Sequence, residues 1–129
     1  MRIVSLASGS KGNATVVEHN GVSILIDCGL NYKTLTAKLK EVASLQPPTS
    51  DLQPSFLGIL LTHSHTDHTS GLKPLLNKHP ELAIYANAMT AETVVKDCGL
   101  DDDVFVCFEN GQPFEIGPFE ISAFSIPHG

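Results

Sequence analysis

Leu61-Thr62-His63-Ser64-His65-Thr66-Asp67-His68 closes an apolar run that begins at Phe56, and it packs three imidazoles and a carboxylate into six residues. Side chains at i and i+2 project about 200° apart on a helix but to one side of an extended strand. With residues 56 to 61 as a strand buried on both faces, His63 and His65 at its end can reach one ion. Asp67 and His68 follow on the turn away from that strand, where they can hold a second ion near the first. Two-metal hydrolases are built this way. The competing reading, a solvated polar loop, needs four ligand-type residues to fall together by chance.

Outward from this segment the chain alternates strands and helices. Residues 2 to 7 and 14 to 18 are β-rich and flank the turn Ser8-Gly9-Ser10-Lys11-Gly12-Asn13. Asn20-Gly21 favours a type I′ hairpin into a third strand, Val22 to Ile26, which Asp27-Cys28-Gly29 ends. Asn31 suits an N-cap, and Leu35, Leu39 and Val42 recur at helical spacing, which predicts a helix to about Leu45. Pro47-Pro48 stops it, and Gln46 to Pro54 reads as a loop. Beyond the histidines, Gly71 to Lys78 and Thr90 to Cys98 read as helices, the first tolerating Pro74 in its opening turn and the second stopped by Gly99. Ala83 to Ala86, Val104 to Phe108, Pro113 to Ile116 and Phe119 to Ile126 complete the strands, in the order βββ-α-β-α-β-α-βββ.

With 129 residues, 42% of them apolar and 17% charged, the chain suffices for one modest core. No stretch approaches the roughly 20 apolar residues of a membrane span, and Met1 to Ser5 starts a strand instead of a leader, so no membrane association and a cytoplasmic location are expected. Cys28, Cys98 and Cys107 match neither a disulfide framework nor a CxxC metal pair, so reduced thiols are expected. A formal net charge of −6 argues against a sequence-independent grip on nucleic acid through basic patches. It does not exclude a nuclease, whose substrate is drawn to a dication centre.

Residue for residue, His63, His65, Asp67 and His68 resemble the HxHxDH signature of the metallo-β-lactamase superfamily. Ser8 to Asn13, Leu25-Ile26-Asp27-Cys28-Gly29 and Leu61 to Leu72 are most similar to its YycJ/WalJ-like branch, associated with DNA exonuclease chemistry. The resemblance implies an α/β fold, the N-terminal half of a metallo-β-lactamase αββα sandwich, with a mixed β-sheet and flanking helices. It spans residues 1–129 as one domain and implies truncation at the C-terminal end, since the family's bridging aspartate and final histidine come later. It also places His128, in Ile126-Pro127-His128, as the third metal-1 histidine.

On that resemblance His63, His65 and His128 hold metal 1 and Asp67 and His68 hold metal 2. Asp67 also orients the attacking water or takes its proton, and Asp27 steadies the ligand loop by hydrogen bonds, with a strand-end cap as its bland alternative. Two divalent ions, Zn or Mn with Fe as a further candidate, would lower the pKa of a shared water for in-line attack on a nucleic-acid phosphodiester. An acyl hydrolase of thioesterase or lactamase type, or a metal-binding assembly domain without catalysis, are the other readings. A glutamate usually stands at the position of His65 in diiron relatives, which counts against an oxidoreductase. Residues 1–129 alone are expected to bind an ion through His63 and His65 but to lack turnover, and to form a homodimer through an uncovered sheet. Cys28 reads as a small buried thiol, Lys11 as part of a plain turn, and His19 and His79 as solvated or capping residues.

Overall fold

The computed structural model describes residues 1–10, 12–42 and 55–124. Lys11, the expected helix end at residues 43–45, the loop at 46–54, and residues 125–129 with His128 lie outside them. The described elements run β1 (Arg2–Ala7), β2 (Ala14–His19), β3 (Val22–Ile26), α1 (Tyr32–Val42), β4 (Ser55–Leu60), α2 (Thr66–Thr69), α3 (Leu72–Lys78), β5 (Ile84–Asn87), α4 (Ala88–Cys98), β6 (Phe105–Phe108), β7 (Phe114–Ile116) and β8 (Phe119–Ile121). A 3₁₀ turn over Asp102–Val104 leads into β6.

Strands β1 to β6 form one sheet in chain order, antiparallel from β1 to β3 and parallel from β3 to β6. Asn20 and Gly21 both take positive φ (54° and 81°), so the β2–β3 hairpin has the expected primed turn. Asn31 accepts a bond from Thr34 N (2.8 Å) to cap α1. Asn87 does the same for α4 from Thr90 N, which starts that helix at Ala88, two residues before the apolar spacing suggests. Gly99 ends α4 in the left-handed conformation at φ 67°.

One face of the sheet is covered by helices. Val16, Leu25, Ile59 and Ile84 meet Leu35 and Leu39 of α1, Leu72, Leu75 and Leu76 of α3, and Ala91 and Val94 of α4 in the main core. The β7–β8 hairpin lies on the opposite face, where Ile116 and Phe119 form a second, smaller core with Val17 and Ile24. Phe114 stacks against Phe108 at 4.7 Å and Tyr85 at 6.2 Å.

Two expectations change here. Strand β4 is not buried throughout: the hairpin covers this face only in part, leaving Leu57 37% exposed, while Gly58 gives Tyr85 room to lie across it. The last strand is short, Phe119–Ile121, with Phe119 buried and Glu120 exposed, so it needs cover on one face only. The mixed sheet with flanking helices is as the sequence reading has it. Among the described residues no helix is long and apolar enough to cross a membrane.

Candidate metal centre

The site forms where two parallel strands end side by side. Ile26 of β3 pairs with Leu60 of β4, and Asp27 N continues the ladder by donating to Leu60 O at 2.8 Å. Asp27 then turns at φ 63°, a conformation that non-glycine residues rarely hold. The turn aims its carboxylate at the segment leaving β4. Thr62 N donates to Asp27 Oδ1 (2.8 Å), Thr62 Oγ1 donates to Oδ2 (2.6 Å), and His68 Nδ1 lies 2.8 Å from the same Oδ2. Asp27 is therefore the hub of the ligand loop, buried at 5% exposure with every bond directed at that loop.

Backbone contacts clamp the same loop. Cys28 N donates to His68 O (2.7 Å), Gly71 N to Cys28 O (2.9 Å) and Asn13 N to Asp67 O (2.7 Å). The chains approach so closely that a Cβ on Gly29 would overlap the carbonyl of Asp67, and one on Gly71 that of Leu30. The expected turn after β4 contains the short helix α2, with His65 just before it.

His63 and His65 follow β4 after a bend at Thr62, with rings stacked at 5.9 Å, and the His63 and His68 rings lie 4.5 Å apart. Asp67 Oδ2 is 3.6 Å from His68 Nε2, a gap one ion can span with bonds of about 2.0–2.2 Å to each. Neutral imidazole and carboxylate donors suit Zn, Mn and Fe. Among the described residues the structure thus groups Asp27, His63 and His68, with Asp67 beside His68 and His65 stacked on His63 but outside that group.

Ligand-type atoms of Asp27, His63 and His68 also lie within 4.8 Å of one another. Asp27 is better understood as the orienter in this group than as a direct ligand, because its oxygens already accept three hydrogen bonds from the loop. A carboxylate on the far nitrogen of a ligating imidazole is the usual support of such sites.

Two contributors were not singled out from the sequence. The Asn13 side chain reaches from the glycine-rich turn, with Nδ2 at 3.1 Å from Asp67 Oδ2 and 3.4 Å from His68 Nε2. The signal was the turn itself, in which Lys11 drew attention instead. Thr62 is the second, a residue that in sequence reads only as the link between strand and histidines. Of the isolated histidines, His79 caps α3 and lies 3.1 Å from the Tyr32 hydroxyl, while His19 ends β2.

Cys28 is buried beneath the loop, and desolvation together with the neighbouring Asp27 charge pushes its thiol up to about 12. The proton is retained in the folded state, so this group's stabilisation is complete below the unfolded thiol value and is lost as pH rises toward 12. Denaturation midpoints between about pH 9 and 12 should fall less steeply for Cys28→Ala than for the parent. Ellman's reagent in native buffer should modify exposed Cys107 first and Cys28 last, and prompt labelling of Cys28 would contradict this burial.

Residues 23–129 match the family model described as a beta-lactamase superfamily domain. Over 95% of its length the chain is 32% identical to exodeoxyribonuclease WalJ of Streptococcus pneumoniae serotype 2 and 35% identical to exodeoxyribonuclease YycJ of Bacillus anthracis. It spans 44% of each of these relatives. Among solved structures, Zn²⁺-bound PqqB from Methylobacterium extorquens superposes on 98% of the chain with a TM-score of 0.74 at 19% identity, the match covering 52% of that protein.

Proposed function

The chain belongs to the β-lactamase superfamily, and on that premise we propose that it is the metal-binding half of a hydrolase that cleaves phosphodiester bonds in nucleic acid. What supports this reading is the grouping of Asp27, His63 and His68 beyond the ends of β3 and β4, with His65 stacked on His63 and Asp67 beside His68. Similarity to two proteins named exodeoxyribonucleases supports nucleic acid as the substrate class.

His63 and His65 would hold one ion, with His128, which lies outside the described residues, as the third ligand the family resemblance implies, and Asp67 and His68 would hold the other. Divalent ions at such a centre lower the pKa of water and neutralise charge developing on the phosphate. Asp67, with its carboxylate held by Asn13, orients the attacking water and accepts its proton. Asp27 keeps His68 directed at the centre. His65 is exposed and His63 half-buried among the described residues.

The whole protein, stripped of metal and reloaded with Mn²⁺ or Zn²⁺, is expected to release nucleotides from end-labelled DNA. Chelation and the His63→Ala/His65→Ala double variant should each abolish release. Hydrolysis of a thioester or of nitrocefin, with DNA and RNA left intact, would replace the phosphodiesterase reading by the acyl-hydrolase one.

A further inference from the structure

We propose that Thr62 is a positioning residue that sets the tautomer of His63, so that the single carboxylate of Asp27 orients imidazoles in both halves of the centre. The argument is a count of hydrogens. The Thr62 hydroxyl has one proton, and the 2.6 Å bond from Oγ1 to Asp27 Oδ2 uses it, because a carboxylate oxygen can only accept. His63 Nδ1 lies 2.8 Å from the same Oγ1. With its proton committed, Oγ1 can only accept there, so Nδ1 of His63 carries the hydrogen. A neutral imidazole holds one such proton, which leaves Nε2 as the unprotonated nitrogen.

The same carboxylate treats His68 directly. Its Nδ1 is 2.8 Å from Asp27 Oδ2 and must donate there, which leaves Nε2 as an acceptor 3.4 Å from the Asn13 amide nitrogen. Asp27 therefore fixes His68 in one step and His63 in two, and both imidazoles present the same nitrogen outward. Thr62 extends the carboxylate's reach by one residue, from the metal-2 histidine to a metal-1 histidine. Serine can make the same two bonds, but valine, of nearly the same shape, can make neither.

The tautomer rests on the hydrogen bonds alone, whereas its bearing on ion affinity rests on the proposed role of His63. Long-range ¹H–¹⁵N correlation spectra of the metal-free protein labelled in histidine read the tautomer directly. The parent and Thr62→Ser should show His63 protonated on Nδ1, while Thr62→Val should show the Nε2–H form or a mixture. Zinc affinity, measured by competition with a chromophoric chelator, should fall about tenfold in Thr62→Val and recover in Thr62→Ser. An Nε2–H form of His63 in the parent overturns the proposal, and that spectrum decides it whether or not Thr62→Val folds. An unchanged Nδ1–H form in Thr62→Val also overturns it. A shifted tautomer with unchanged zinc affinity leaves the relay standing and removes His63 from the ligand set.

Discussion

Asp27→Asn should weaken zinc binding 10- to 100-fold although it changes a single atom. The carboxylate accepts from Thr62 N on Oδ1 and from both Thr62 Oγ1 and His68 Nδ1 on Oδ2. An amide cannot satisfy all three. With its oxygen toward Thr62 N, its NH₂ faces the hydroxyl and the imidazole N–H, and His68 must move its proton to the nitrogen needed for the ion. With the amide reversed, the NH₂ opposes the backbone N–H of Thr62 and the loop loses its anchor. Each buried donor left unpaired costs about 1–3 kcal/mol. Backbone strain does not confound the test, since asparagine accepts the φ of 63° found here at least as well as aspartate. Zinc competition titrations and urea midpoints measure the two effects, and a zinc affinity within twofold of the parent would remove Asp27 from its central place.

Gly29→Ala should destabilise the protein by about 3 kcal/mol or more, a large share of the 5–15 kcal/mol that holds a typical domain folded. The added methyl would fall on the carbonyl of Asp67 and 2.8 Å from Asn13 N, both backbone atoms that no rotamer change can move aside. Relief requires parting the Asp27–Leu30 segment from α2, which breaks the Cys28 N to His68 O bond and displaces Asp67 and His68. Gly21→Asn is the control: nothing lies within 4 Å of a Cβ there, and asparagine tolerates the positive φ, so a loss below about 1 kcal/mol is expected. Equal unfolding midpoints for the two variants would show that the clamp yields more easily than its geometry implies.

Much of this was legible in the chain because the deciding signals are local. The His63 to His68 spacing, the Asn20-Gly21 turn, the Asn31 cap and the Gly99 stop each lie within a few residues of what they control. Helix α2 was missed because four residues carry no periodicity. The partial exposure of β4 was missed because an apolar run reads the same whether its second face is covered fully or by one short hairpin. Asn13 was passed over for a different reason. An asparagine closing a glycine-rich turn is ordinary turn chemistry, and its partner Asp67 stands 54 positions away.

That distance along the chain also governs how the centre comes into being. The bonds that shape it join residues separated by 35 positions (Thr62 to Asp27), 41 (His68 to Asp27) and 54 (Asn13 to Asp67). Contacts of such span form only after the intervening loops have closed, and they place the domain among slowly folding topologies. An excised peptide holding the histidine motif would carry the donors without the carboxylate that aims them. An ion bound at this centre would therefore select the finished fold over the open chain, each tenfold rise in its free concentration above Kd adding about 1.4 kcal/mol of resistance to unfolding.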